Sequence, residues 1–217
     1  MPTFAVIPAY NEEKHLRKVI QATRKFVSSI IVVDDGSKDG TSQIAKEEKV
    51  LLLKNVINLG KGAALRNGCD YALSKGASKI VVLDADGQHD PEKIPEFLNA
   101  LEESQVVFGY RQLSEKMPFI LKFGNWFINL MTKFLYKVDL KDTQCGFRAF
   151  TAEAYNKIRW MAPDYSMESE MISKVGKNKL KYAQIPIQTI YLDKYKGTTV
   201  LDGIIIVFKM MMWRIGK

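Results

Sequence analysis

The chain is almost free of cysteine. Only Cys69 and Cys145 occur in 217 residues, far apart and without the spacing of metal ligands. That argues against a disulfide framework and fits two free thiols in a reducing compartment. Also lacking is any uninterrupted apolar run near the ~20 residues that cross a bilayer. The N-terminus shows no basic-then-apolar signal segment, and no repeat, low-complexity tract or linker interrupts the chain. A soluble or peripheral protein is therefore expected. What is present suits one sizeable domain: 47% hydrophobic and 11% aromatic residues are enough for a full core. The formal net charge of +8 implies an anionic partner, which could be nucleic acid, an anionic membrane surface or a phosphorylated substrate.

Short apolar runs alternate with helical patterns. Strands are expected over 3–7, 30–33, 50–53, 80–83 and 105–109, each followed by a turn and an amphipathic stretch. Asn11 is a candidate N-cap, with Glu12 and Glu13 in the first turn and Leu16, Val19, Ile20 and Thr23 at helical spacing. Further helices are expected over 42–49, from the 59–64 segment to about 74, and over 91–103, 118–137 and 151–159. One more starts near 165–170, and 181–190 reads as an edge strand because Pro186 interrupts its ladder. This alternation predicts an α/β fold, a mainly parallel sheet with helices on both faces. In such sheets ligands bind beyond the carboxyl ends of the strands.

Those ends carry the chemistry. The run Ile80–Leu83 is followed by Asp84, Asp86, Gln88, His89 and Asp90 before Pro91 opens a helix. Two carboxylates one residue apart form a hard oxygen site suited to Mg²⁺ or Mn²⁺, and such ions take phosphate oxygens as further ligands. A solvated turn that merely caps a helix is the alternative reading. The earlier strand ends carry Pro8-Ala9-Tyr10 and Asp34-Asp35-Gly36, so polar groups would converge on one crevice. In Gly60-Lys61-Gly62 the glycines would let the backbone approach a phosphate or sugar, and Lys61 would add charge, whereas taken in isolation the segment reads as a plain helix-start loop.

The stretch 118–137 places Phe119, Phe123, Trp126, Phe127, Leu130, Phe134 and Leu135 at spacings of three and four, punctuated by lysines. A basic, aromatic amphipathic helix suits a membrane interface. An ordinary core or dimer helix is the alternative. The apolar stretch over 203–214 is too short to span a bilayer, and should lie in the interface, pack on a partner chain or begin a membrane segment. The expected organisation is a catalytic domain over 1–198 and an apolar interface segment over 199–217.

The blocks Ala5–Glu12, Val32–Ser37, Asn58–Gly62, Leu83–Gln88 and Asp142–Arg148, in this order, strongly resemble glycosyltransferase family 2 with the GT-A fold. The branch resembled is that of the polyprenyl-phosphate (dolichyl-phosphate) hexose synthases. The resemblance implies a hexose moved from a nucleotide-diphosphate sugar to a polyprenyl phosphate at the cytoplasmic face of a membrane, serving glycan or protein glycosylation. It implies donor contacts from Pro8, Ala9, Tyr10, Glu12, Val33, Asp35, Lys61, Asp84, Ala85 and Asp86. A divalent metal, Mg²⁺ or Mn²⁺, would sit on Asp84, Asp86 and Gln88 and neutralise the leaving diphosphate. Asp142 and Gln144 would face the donor sugar, and Arg111 the acceptor phosphate. A second family arginine aligns with Trp126, so Lys122 or Arg148 is expected to supply that cation. Tyr191, Lys194 and Lys196 are candidates to close over the donor phosphates.

A phosphate monoester, with a second pKa of roughly 6, can attack without a general base. Neither His89 nor Asp90 is therefore assigned as one, and in-line displacement with inversion is expected. The Gly-Lys-Gly and Asp142–Arg148 blocks look closer to users of UDP-hexoses, so UDP-N-acetylglucosamine or UDP-glucose is favoured over GDP-mannose. A hydroxyl acceptor on the same fold is a second reading. A non-catalytic basic module is the third, and the acidic strand ends count against nucleic acid as its partner. Association of two copies through the apolar helices is a further expectation.

Overall fold

In the computed structural model, residues 2–111, 119–188, 209–210 and 212 are described, with backbone alone for 119–125. Seven strands form one sheet in the order β3-β2-β1-β4-β6-β5-β7. They are β1 (Thr3–Ala9), β2 (Ser29–Asp34), β3 (Leu51–Lys54), β4 (Lys79–Val82), β5 (Val106–Arg111), β6 (Arg148–Thr151) and β7 (Tyr182–Ile187). All neighbours pair in parallel except β6, which runs antiparallel between β4 and β5. The strand expected over 181–190 is the edge strand β7, with Pro186 opposite Tyr110.

The helices are α1 (Leu16–Thr23), α2 (Thr41–Glu47), α3 (Lys61–Ser74), α4 (Ile94–Ala100), α5 (Phe119–Tyr136), α6 (Ala152–Ile158) and α7 (Met167–Lys177). The sheet is buried on both faces because its strands alternate between two cores. Phe4, Val6, Ile31, Val33, Ile80 and Val82 face α3 and the C-terminal helices. Ala5, Ile7, Ile30, Val32, Val81 and Leu83 face α1 and α4, where Leu16, Ile20, Ile94 and Phe97 are fully buried. A Cβ on Gly68 would lie 2.4 Å from Val6 Cγ1, so α3 sits directly on the sheet.

Two local expectations are corrected. Asn11 is not a helix cap: it has φ +56°, and α1 starts five residues later with His15 at its N-cap. The N–H groups of Asn11, Glu12 and Glu13 donate to Ser37 Oγ, Thr41 Oγ1 and Asp39 Oδ2, so they brace the β2–α2 turn. The helix expected over 91–103 is a 3₁₀ turn (Pro91–Lys93) followed by α4, with the Asp90 carboxylate accepting from Glu92 N at 3.0 Å. Helix capping is thus the task of Asp90, not of Asp84 or Asp86.

Helix α5 buries Ile128, Thr132 and Tyr136, a stripe at i, i+4 and i+8. Trp126, Leu130 and Phe134 lie outside that stripe, at 55%, 45% and 80% exposure. No helix among the described residues is long and apolar enough to cross a membrane. Most of the segment expected over 199–217 lies outside the described residues. Within it, Met210 is buried, its carbonyl accepts from Tyr136 Oη, and Lys209 Nζ bonds Asp164 Oδ2 at 2.8 Å.

Candidate active site

The carboxyl ends of β1, β2 and β4 open on one side of the sheet. Asp35 N–H donates to Ala9 O at 2.8 Å, tying the first two ends together. Asp34 accepts from Ser37 N and Ser42 Oγ, closing the turn after β2. Asp35 is buried, and its carboxylate accepts from Asn55 Nδ2 (2.8 Å), Leu59 N (2.9 Å) and Gly60 N (2.9 Å). Three of its four lone-pair positions therefore hold the 55–60 loop, leaving one for a ligand. Tyr10 stands exposed at the rim beside Pro8 and Glu12. The side chains of Ala9, Val33 and Ala85 are buried in the cores, so these three expected donor contacts could be made only through backbone.

The Gly60-Lys61-Gly62 segment is a helix start, with Gly60 at the N-cap and α3 beginning at Lys61. Its close approach is to protein backbone: a Cβ on Gly60 would lie 2.5 Å from Pro163 O, and one on Gly62 would lie 2.4 Å from Ala162 O. Ala63 N–H donates to Pro163 O, and Trp160 Nε1 donates to Gly62 O. The glycines admit the 160–164 loop, which Glu170 in turn holds through Met161 N and Ala162 N.

Lys61 itself points into the centre of the site. Its Nζ lies 2.8 Å from Asp84 Oδ1 and 3.4 Å from Glu168 Oε1, with the Tyr165 ring 5.7 Å away. Burial disfavours its charge, but Asp84 and Glu168 outweigh that and raise its pKa above the lysine range. Burial likewise opposes the Asp84 charge, and Lys61 and Arg111 overcome it and hold the carboxyl below its ordinary value. Asp84 N–H donates to His89 Nδ1 at 3.2 Å, which leaves the imidazole proton on Nε2, 3.9 Å from Asp84 Oδ2. Burial pushes the His89 pKa down despite Asp84 and Asp86, so it is a neutral ring packed on Phe147. Asp86 Oδ1 accepts from Gln88 N at 3.0 Å, and Gly87 between them has φ +74°.

The loop before β6 covers this cluster. A Cβ on Gly146 would lie 2.6 Å from Asp84 Oδ2 and 3.0 Å from Lys61 Nζ, so only glycine leaves that space open. Asp142, 3% exposed, receives Arg111 Nε at 2.6 Å and Nη2 at 3.1 Å, a bidentate pair. Burial opposes the Asp142 charge, but Arg111 wins and depresses its pKa. Both side-chain polar atoms of Gln144 are buried and make no hydrogen bond. Such an orphaned amide costs free energy unless a ligand satisfies it.

Arg148 is the main correction. At 1% exposure it cannot reach a phosphate in the cleft. Its guanidinium donates to Cys145 O, Thr143 O and Glu168 O and lies over the Phe108 ring. Its role is to lash the covering loop to α7. The Lys122 side chain, Tyr191, Lys194 and Lys196 lie outside the described residues.

Sequence reasoning missed Glu168, Gly146 and the tie from His89 to Asp84. Glu168 is 3% exposed, and burial raises its pKa against the pull of Lys61 and Arg148. The acidic opening of α7, Met167-Glu168-Ser169-Glu170, was the only available signal for it.

Among known proteins, the model of glycosyl transferase family 2 matches residues 4–159. The chain belongs to glycosyltransferase family 2. Within that family, it is 34% identical to the UDP-N-acetylglucosamine–dolichyl-phosphate N-acetylglucosaminyltransferase of Methanococcus voltae, over 99% of this chain and 96% of that one. It is 28% identical to the polyprenol monophosphomannose synthase of Mycolicibacterium smegmatis, over 98% and 87%. A solved relative in fold is glucosyl-3-phosphoglycerate synthase of Mycobacterium tuberculosis, crystallised with Mn²⁺, UDP and glucosyl-3-phosphoglycerate. It superposes with a TM-score of 0.75 at 19% identity, covering 99% of this chain and 80% of that one. The expected GT-A fold and family are thereby shown.

The donor types at the β4 end suit a hard divalent cation, though no three His, Cys, Asp or Glu side chains among the described residues cluster as metal ligands. Asp84 and Asp86 offer carboxylate oxygens, Gln88 an amide oxygen, and Gly146 keeps the Asp84 side unobstructed.

Proposed function

We propose that this family 2 transferase moves a hexose from a UDP-sugar to a polyprenyl phosphate, with inversion, at a membrane surface. The observation that carries the reading is the 34% identity, over almost the whole of both chains, to a transferase named for UDP-N-acetylglucosamine and dolichyl phosphate. UDP-N-acetylglucosamine is the favoured donor, with UDP-glucose next. GDP-mannose is the alternative, in keeping with the more distant mannose synthase relative.

The chain's residues divide the work. Tyr10, Glu12 and the remaining lone pair of Asp35 line the nucleotide side. Asp84, Asp86 and Gln88 would hold Mg²⁺ or Mn²⁺, which supplies charge neutralisation for the departing diphosphate. The amide of Gln144 is available to sugar hydroxyls or an acetamido group. Arg111, oriented by Asp142, faces the acceptor phosphate with a fixed guanidinium fork. A base is unnecessary because the attacking phosphate is already ionised. His89 is occupied at Nδ1, Asp90 caps a helix turn and Glu168 is buried against Lys61, which agrees with that economy. Specific rate then comes from positioning and electrostatics.

The exposed Leu130 and Phe134 of α5 support peripheral membrane association, since apolar side chains on the outer face of an amphipathic helix suit a membrane interface. A second copy of the chain is the alternative occupant of that face. Incubating the full chain with short-chain polyprenyl phosphate, Mg²⁺ and each of UDP-N-acetylglucosamine, UDP-glucose and GDP-mannose tests the donor. Release of UDP, abolished by EDTA, is expected. Exclusive turnover of GDP-mannose would reassign the donor, and undiminished turnover in EDTA would remove the metal.

A further inference from the structure

Lys61 presents a conflict of charges. Its ammonium is 2.8 Å from Asp84 Oδ1, on the carboxylate that the proposed reading gives to a divalent cation. A lysine ammonium and a divalent ion cannot share that oxygen, because like charges so close together in a partly buried site repel strongly. The structure also contains a second seat. Glu168 Oε1 lies 3.4 Å from the same Nζ, and the Glu168 side chain is only 4% exposed. Among the described residues Lys61 is the only side chain in an ion pair with this buried carboxylate, reached from α7 across 107 residues of sequence, and the Arg148 charge acts on it without bonding it. Arg148 spends its nearest donor on the Glu168 backbone carbonyl, not on the carboxylate.

Resting on the metal reading above, we infer that Lys61 is a built-in counter-cation that holds Asp84 while no metal is bound and moves onto Glu168 when metal takes Asp84. Glu168 is thus a positioning residue. It acts on the metal site only through Lys61, and keeps that ammonium beside the diphosphate region instead of releasing it to solvent. The two-seat arrangement keeps the buried charges paired in both states. An unpaired carboxylate at this depth would otherwise be strongly unfavourable. It also explains why a lysine stands at the start of α3 where the loop glycines serve protein packing, not a phosphate.

The test is Mn²⁺ binding to the full chain, followed by the electron paramagnetic resonance signal of free Mn²⁺, without nucleotide or lipid. Thermal melts check that each variant folds. Lys61→Met removes the competitor and should tighten Mn²⁺ binding, on the order of tenfold, the usual scale of coupling between competing ligands. Glu168→Gln removes the second seat, leaves Lys61 on Asp84 and should weaken Mn²⁺ by a similar factor. In the Lys61→Met background, Glu168→Gln should have no further effect, which a purely structural or direct electrostatic role for Glu168 would not produce. Equal weakening in both backgrounds, or unchanged or weaker binding in Lys61→Met, overturns the exchange. A wild type that binds no Mn²⁺ overturns it together with the metal assignment, while the transferase reading stays with the turnover assay.

Discussion

Replacing Arg148 separates the two roles that sequence and geometry assign to it. In Arg148→Met the carbonyls of Thr143, Cys145 and Glu168 lose their guanidinium donor inside the core. Each buried acceptor left unsatisfied costs about 1–3 kcal/mol. The Glu168 carbonyl sits within α7, and removing the buried charge recovers part of its desolvation cost, so the full sum is not reached. A net loss of about 3 kcal/mol follows. For a chain of this size that lowers Tm by roughly 10 °C. Arg148→Lys should lose nearly as much, because one ammonium cannot serve three diverging carbonyls. The assay is a thermal melt beside the acceptor dependence of turnover. A stable Arg148→Met protein, unchanged in Tm but raised in KM for the lipid phosphate, would refute the reasoning and return Arg148 to the acceptor site.

The remaining predictions are more local. Gly146→Ala should cut turnover at least tenfold with little change in Tm, since its Cβ would displace Asp84 and Lys61, not the core. Asp142→Asn should cost on the order of 3 kcal/mol near pH 7 by leaving Arg111 opposite a neutral amide. The Asp142 pKa is lowered on folding, so that stability exists above the usual carboxylate value of about 4 and is lost as pH falls through the lower folded value. Denaturant midpoints of wild type and Asp142→Asn should therefore converge in acid; a constant gap would contradict the pairing. Cys69 and Cys145 are both buried, and burial pushes the Cys145 thiol up to about 12, so neither should react with a thiol reagent until the chain unfolds. Phe134→Asp should abolish co-sedimentation with anionic vesicles at unchanged Tm. Retained vesicle binding with a loss of dimer would instead assign the α5 face to a second copy.

Much of the scaffold is legible in local pattern. Ile30–Val33 and Ile80–Leu83 are buried on both faces, as their unbroken apolar runs imply, and Leu16, Val19, Ile20 and Thr23 all turn inward. The failures share one cause: partners distant in sequence. Asn11 reads as a cap because its neighbours favour a helix start, but its hydrogen bonds go to Ser37 and Lys38. Gly60 and Gly62 read as a phosphate loop, but the chain that needs their missing side chains is 162–163. Arg148 carries the charge a phosphate wants, and only its burial shows that carbonyls consume it. The antiparallel insertion of β6 has the same consequence for Gly146, which is brought over Asp84 by strand order and not by spacing. The places of Asp84 and Arg111 at the β4 and β5 ends were legible because strand ends face the cleft in any sheet of this kind. Glu168 was not, because only the tertiary fold sets it beside Lys61.

The central claim is that a lipid phosphate, not a hydroxyl, attacks the sugar. Its most direct measurement is transfer of labelled N-acetylglucosamine from UDP to polyprenyl phosphate and, in parallel, to the polyprenol of the same chain length. Label is expected in the phosphate lipid alone, with inverted anomeric configuration. Equal transfer to the polyprenol, or UDP release that ignores the phosphate lipid, would contradict the account.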